Sequence, residues 1–249
     1  MDDQNSFYES ERRLEQQGLD TQESIGRYTA KTFLLMFLGL AVTFGTALYL
    51  AGTYSGYMLV RRALYATNGY IHLILLVAEL AVAIGMTSML HKISVTTAGV
   101  CFFLYAFLTG LTFSVLFMVY DLATLIFAFA LTALFFASMA IFGFVTDMDL
   151  ARIRPILLGG LIFLIVANLV MYFIPILDVA DQVICSIGLV IFLGYTAYDT
   201  QKLRTYYEAF RVDDDMRTKA AIFSALQLYL DFVNMFLYLL RLLGKKNRR

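Results

Sequence analysis

Long apolar runs alternate with short polar stretches over most of this chain. Seven runs are long enough, at about 1.5 Å per helical residue, to cross a hydrocarbon core of about 30 Å. Polar or turn-forming residues separate them, such as Asn68 and Gly69 before the second run and Asp121 between the third and the fourth. The pattern predicts seven transmembrane helices, at residues 32–51, 70–90, 95–118, 122–145, 156–174, 179–198 and 221–243.

The last run differs from the others because polar residues recur along it at helical spacing. They follow one another at intervals of three or four residues, so on a helix they share one stripe. A carboxylate in mid-span, such as that of Asp231, is costly if it faces lipid. We therefore expect the stripe to face protein or water, and this helix to be central. The polar stripe consists of Ser224, Gln227, Asp231, Asn234, Tyr238 and Arg241.

The composition agrees with an all-α polytopic membrane protein. Of the 249 residues, 60% are hydrophobic and 15% are charged. We expect one membrane domain at 31–244, between a polar tail at 1–30 and a basic tail at 245–249. A net charge of zero argues against a nucleic-acid partner. Cys101 and Cys185 lie inside apolar runs, which predicts buried hydrophobic side chains, and no cofactor is expected.

The distribution of Lys and Arg among the loops predicts the orientation of the chain. The loops after the third and fifth helices contain neither residue, whereas the first tail and the loops after the fourth and sixth helices contain several. The N-terminus is therefore expected in the cytoplasm. Seven full spans then place the basic tail at 245–249 outside, against the same rule, unless the last segment re-enters. With no secretory signal before the first run, a bacterial inner membrane is favoured over an endoplasmic reticulum.

Three acidic residues, Glu79, Asp199 and Asp231, lie within or at the edge of the predicted spans. An ionisable group inside a membrane is a functional candidate. For Glu79, a structural pairing is an equal alternative to function. For Asp199, the alternative is a solvated carboxylate paired with Lys202 or Arg204.

Asp199 and Asp231 belong to consecutive helices, which can be antiparallel neighbours. They can face each other if the last helix begins before Ala221 or the sixth runs past Tyr198. Two carboxylates in such a place cannot both ionise at low cost, so we expect them to share a proton and to respond to pH. When ionised, they supply the hard oxygen ligands that suit Ca²⁺.

Two strings in the last third of the chain carry a family resemblance. The stretches GLVIFLGYTAYDTQKL (188–203) and ALQLYLDFVNMFLYLLRLLG (225–244) resemble the closing helices of the Bax inhibitor-1 family. The segment FLTGLTFSVLF (107–117) is similar to its third helix, and an acid in helix two, here Glu79, also fits. The resemblance covers residues 32–244.

The resemblance implies a fold with six helices packed around the last one, and a Ca²⁺ leak gated by pH through an aspartate pair. That pair falls on Asp199 and Asp231, with calcium ions and protons as its ligands. In bacterial members an arginine at the end of helix two latches the first aspartate. This chain has His91 and Lys92 there instead, so a latch would fall on one of them. Residues that would line or brace the path are Glu79, Gln227, Asn234 and Tyr238.

Two other functions stay open on the sequence. The protein could regulate membrane partners, such as a quality-control protease or cell-death proteins, through its tail at 1–30. Paired membrane aspartates also suggest an intramembrane aspartyl protease. Against the protease, the second aspartate stands in LYLD instead of GxGD, and a Pro-Ala-Leu string is missing. The expected function is therefore not enzymatic.

Overall fold

The computed structural model describes the backbone of residues 2–89, 92–173 and 178–244, and the side chains of residues 25–89, 92–171 and 180–244. Within these ranges every regular element is a helix. A 3₁₀ turn, Leu150–Ile153, lies between α6 and α7. The α-helices are α1 (Asp2–Gly52), α2 (Tyr54–Ala66), α3 (Ile71–Ser88), α4 (Val95–Ser114), α5 (Leu116–Val119), α6 (Leu122–Val145), α7 (Arg154–Phe173), α8 (Asp178–Ala209) and α9 (Asp214–Leu243).

Seven segments of the described chain are long and apolar enough to cross a membrane. This confirms the predicted all-helical, seven-span fold class. The expected tail at 1–30 is helical from Asp2 and continuous with the first span. The spans are Ile25–Gly52, Ile71–Ser88, Val95–Val119, Leu122–Val145, Leu150–Met171, Ala180–Ala209 and Asp214–Leu243.

The last two helices are longer than their apolar runs. The polar end of α8 continues to Ala209, and α9 begins at Asp214. Asp213 caps α9 by accepting a hydrogen bond from the Met216 backbone N–H at 2.9 Å, and two further acids in the first turn favour the positive end of the helix dipole. Only residues 210–213 join the two helices, which makes them an antiparallel pair. Because α9 is uninterrupted to Leu243, the described chain shows no re-entrant segment.

The short helix α2 was not predicted from the hydrophobic pattern. Its 13 residues are too few to span a membrane, and Thr53 caps it by accepting from the Gly56 backbone N–H at 3.2 Å. It carries Arg61 and Arg62 on the side of the membrane opposite the start of α1. These two arginines weaken the argument for a cytoplasmic N-terminus, because that argument needs Lys and Arg to be concentrated on the side where α1 begins.

Of the seven spans, α9 is the most deeply packed. In its apolar window 72% of the residues are buried, against 6% for the span in α3. It contacts α1, α4, α6 and α8, whereas α3 packs mainly on α4 and α7 mainly on α8. A ring of six helices around α9 is therefore not confirmed.

Aromatic rings and close backbone contacts hold this core together. The Phe44 ring of α1 meets Phe129 of α6 and Phe236 of α9 edge-on, with centroids 4.9 and 5.3 Å apart. Gly143 of α6 lies so close to the Ala197 carbonyl of α8 that a Cβ atom would overlap with it. This contact fixes α6 against α8 two residues before Asp199.

Candidate functional site

The extended α8 and α9 bring Asp199 and Asp231 together. The two aspartates were expected to face each other if α8 runs past Tyr198 or α9 begins before Ala221. Both conditions are fulfilled. The two side chains are 7% and 4% exposed, and their carboxyl groups interact electrostatically. The predicted pair is thus a buried neighbour pair in the core of the molecule.

Contacts on both sides of the pair set its register. Toward the α8–α9 turn, the Tyr206 ring packs edge-on against Phe223 with centroids 6.5 Å apart. Farther into the membrane, Gly188 lies directly against the Tyr238 ring. An antiparallel register that satisfies both contacts places the two aspartates opposite each other.

The pair is not fully neutralised by the side chains around it. Oδ2 of Asp231 is buried without a hydrogen-bond partner among the described residues, and so is the Thr200 hydroxyl beside Asp199. The cations that interact electrostatically with Asp199 are Lys202 and Arg154, and neither forms an ion pair with it. A buried carboxylate oxygen without a partner is costly, so this position needs a proton, a water molecule or a cation.

Aromatic rings hold the basic residues that follow Asp199. The ammonium of Lys202 lies over the rings of Tyr198 and Tyr206, at 5.4 and 4.9 Å from their centroids. Arg204 stacks on a phenylalanine ring of α6 at 4.9 Å. The alternative of a solvated Asp199 paired with either cation is therefore wrong, because Asp199 is buried and both cations contact rings.

Gln201 anchors α8 next to the pair, although in the sequence it stands out only as part of the string at 188–203. Its amide donates to the Met148 carbonyl at 2.7 Å, and its carbonyl oxygen accepts from the Leu150 backbone N–H at 3.0 Å. The connection between α6 and α7 is thereby tied to α8. This brings Arg154, at the start of α7, near the Asp199 carboxylate.

Glu79 does not join the pair. It is buried against α4 and accepts a hydrogen bond from the Thr112 hydroxyl at 2.8 Å. The Glu79 carboxylate interacts electrostatically with the hydroxyl groups of Tyr105 and Tyr229. Since Tyr229 and Asp231 are two residues apart on α9, they point to opposite sides of that helix. Glu79 thus occupies a separate polar position.

All six residues of the polar stripe are buried or half-buried, as expected. The Asn234 amide donates to the Leu230 carbonyl of its own helix at 2.7 Å, and the Tyr238 hydroxyl accepts from Asn168 at 3.3 Å. Gln227 is half-buried. A role for Gln227, Asn234 and Tyr238 in an ion path stays a prediction.

A second polar cluster lies at the other end of the α8–α9 pair. The Arg241 guanidinium forms an ion pair with Asp181 of α8 and donates to Oδ1 of Asn168 of α7 at 2.9 Å. The cluster therefore joins three helices on the side of the membrane opposite the α8–α9 turn. Arg241 belongs to the predicted stripe, whereas Asp181 lies at the edge of the predicted sixth helix, where no partner for it was expected.

The structure describes only one of the two residues predicted as a latch. His91 lies outside the described residues. Lys92 is exposed and is not among the cations that act on Asp199. Lys219 of α9 is instead buried beside this loop, and its Nζ donates to the Ile93 carbonyl at 3.4 Å. A latch at His91 or Lys92 stays a prediction.

The described residues contain no group of three or more acidic, histidine or cysteine side chains placed to hold a metal ion together. The pair alone offers two carboxylates, whereas Ca²⁺ takes about six to eight oxygen ligands. Water would have to supply most of the others.

Comparison with known proteins agrees with this architecture. The family described as Inhibitor of apoptosis-promoting Bax1 matches residues 26–248. The chain belongs to the Bax inhibitor-1 family. Its match covers both aspartates of the pair and, apart from Ile25, all residues of the seven spans.

Among bacterial relatives in the Bax inhibitor-1 family is the inner membrane protein YbhL of Escherichia coli (strain K12). It is 37% identical over 223 residues, which cover 89% of this chain and 92% of YbhL. An uncharacterized protein of Borreliella burgdorferi is 34% identical over 220 residues, 88% of this chain and 92% of its own. One of Deinococcus radiodurans is 36% identical over 222 residues, 89% of this chain and 92% of its own.

Proposed function

We propose that this protein is a pH-sensitive Ca²⁺ leak channel of a bacterial inner membrane, controlled by Asp199 and Asp231. One observation carries the proposal: a buried Asp231 carboxylate oxygen without a hydrogen-bond partner lies opposite a second buried aspartate. Two such carboxylates cannot both stay charged without a neutralising group. A proton or a divalent cation can neutralise them, and the two compete for the same oxygens.

The competition supplies a mechanism for gating. When one carboxyl group is protonated, it can donate to the other carboxylate and hold α8 against α9. When both groups are ionised, they repel each other across the helix pair and attract Ca²⁺. Ion flux is therefore expected to rise with pH.

The cluster at Arg241 gives the path a second barrier. Its ion pair with Asp181 and its hydrogen bond to Asn168 join α7, α8 and α9 on the far side of the membrane. An ion that leaves the aspartate pair in that direction must pass this cluster. In our proposal the two sites are the constrictions at the two ends of the α8–α9 interface.

The test is Ca²⁺ flux into proteoliposomes between about pH 5 and pH 8, a range in which a shared carboxyl proton can titrate. Wild type should pass Ca²⁺, and Asp199→Asn or Asp231→Asn should remove or shift the pH dependence. Asp121→Asn is a matched control outside the spans. The Thr124 hydroxyl and backbone N–H keep the pKa of the Asp121 carboxyl below its ordinary value, so it stays ionised throughout. Absence of flux in wild type at every pH would overturn the proposal.

Regulation of membrane partners is a second candidate function. It is supported by α1, which continues as a helix for about 35 Å before the first span begins at Ile25. A helix of this length offers enough surface for a partner protein to bind. Deleting residues 2–24 should then abolish partner capture from membranes while leaving Ca²⁺ flux unchanged.

A further inference from the structure

A cavity of about 270 Å³ lies where α1, α8 and α9 meet. It is on the side of the membrane that holds the α8–α9 turn, at the level where the first and last spans begin. Headgroups of a lipid bilayer occupy this level. The cavity is lined by Arg27, Tyr28, Lys31, Tyr207, Arg217, Thr218 and Ala221.

The charged groups that line this cavity are all basic. Arg27 and Lys31 come from α1 and Arg217 from α9, and no carboxylate is among the described lining residues. Arg217 also pairs with Asp214, but that carboxylate is 85% exposed and lies outside the lining. The Lys31 ammonium is 3.4 Å from the Thr218 hydroxyl. Two helices thus direct positive charge to one small volume.

The Tyr28 ring forms part of the cavity wall. The side chain is only 6% exposed, and its hydroxyl is enclosed by protein beside Ser224 of α9. The donors that face the cavity are therefore the basic side chains and the Thr218 hydroxyl.

We propose that this cavity binds a phosphate group, carried by an anionic phospholipid headgroup or free in solution. Arginine, lysine and hydroxyl donors around one volume suit the several acceptor oxygens of a phosphate. A basic cavity between membrane helices at headgroup level is the setting in which anionic lipids bind. The bound group would join α1 to α9 next to Tyr207, two helical turns from Asp199. The proposal does not depend on Ca²⁺ transport.

Native mass spectrometry of the delipidated full-length protein tests this assignment. The protein is titrated with phosphatidylglycerol, with phosphatidylcholine and with inorganic phosphate. Wild type should bind phosphatidylglycerol more tightly than phosphatidylcholine. Lys31→Gln and Arg217→Gln should each weaken that binding about fivefold, because the charge of one basic residue near an anionic surface changes the affinity by about that factor. Arg152→Gln, on the same side but outside the cavity, should bind as wild type does.

The two sources of phosphate are distinguished by the third titration. If inorganic phosphate binds and loses affinity in the same two variants, the ligand is a free phosphate group. If phosphatidylglycerol binds and loses affinity in these variants but inorganic phosphate does not bind, the ligand is a lipid headgroup. Thr218→Val keeps the shape of the side chain and removes the hydroxyl, and should weaken binding by about fivefold even where a charge variant fails to fold. Equal binding of both lipids without phosphate binding, or unchanged affinity in all three cavity variants, would overturn the proposal.

Discussion

Two buried acids in this protein have different surroundings at the residue scale. Glu79 receives a hydrogen bond from Thr112, whereas Oδ2 of Asp231 has no partner among the described residues. Sequence position alone places both near mid-span and cannot separate them. The difference arises from which helix each faces, α4 for Glu79 and α8 for Asp231, and that depends on packing between distant parts of the chain.

Thr112→Val should destabilise the protein by about 1–3 kcal/mol, because it leaves the buried Glu79 without its donor. The measurement is thermal unfolding in detergent. Thr87→Val is the matched control on α3, since the exposed Thr87 hydroxyl bonds only the Ala83 carbonyl of its own helix. Equal effects of the two substitutions would contradict a structural bond between Glu79 and α4.

Gly143→Ala should destabilise the protein by about 1–3 kcal/mol through overpacking, because the added methyl group overlaps with the Ala197 carbonyl. Gly45→Ala is the control, since a Cβ atom there meets nothing within 4 Å. Thermal unfolding of both variants checks this. A Gly143→Ala protein as stable as wild type would show that α6 and α8 are not in backbone contact.

At the element scale, the α8–α9 pair is held by an aromatic contact near its turn and by the Arg241 ion pair at its other end. The polar stripe predicted that α9 is central, but not which face of it is most covered, because Gln227, Asn234 and Arg241 lie on its half-buried side. The antiparallel pairing was predicted because the two helices are consecutive in the chain. The sequence did not reveal that α8 extends to Ala209, because its last turns are polar and continue the helix without an apolar signal. It did not reveal the partner of Arg241 either, because Asp181 lies at a predicted helix edge.

A double-mutant cycle between Asp181→Asn and Arg241→Gln should give a coupling free energy of about 1 kcal/mol in unfolding experiments. Both side chains are about one-third exposed, at 33% and 32%, so solvent screens the pair in part. The pair Asp149 and Arg152, 59% and 85% exposed, is the control and should show no measurable coupling. Equal coupling in the two cycles would contradict a structural role for the Arg241 cluster.

At the scale of the whole molecule, hydrophobic run lengths predicted seven spans, and the structure agrees. They did not predict which helices surround α9. Apart from Glu79, the middle of the span in α3 is apolar on all sides, so its sequence contains no continuous stripe that says which face meets protein. The amphipathic α2 was missed because the spanning criterion ignores short helices. The aspartate pair could be predicted because charges inside a membrane are few and costly.

The seven-span topology predicts the sides of three loops. In a protein without its native cysteines, Arg152→Cys and Asp215→Cys should react with an impermeant maleimide from one side of the membrane, and Asp121→Cys from the other. A cytoplasmic N-terminus predicts that the first two react only in inside-out vesicles. Reaction of all three from one side would contradict the topology.

The central claim is that Asp199 and Asp231 act as one unit that gates Ca²⁺. Its most direct test is the pH dependence of Ca²⁺ flux in proteoliposomes for the Asp199→Asn/Asp231→Asn double variant and both single variants. If the pair shares one proton, the double variant should lose little more pH dependence than either single variant, because each substitution already breaks the unit. A double variant that keeps the wild-type pH profile, or a wild type that passes no Ca²⁺, would contradict the account.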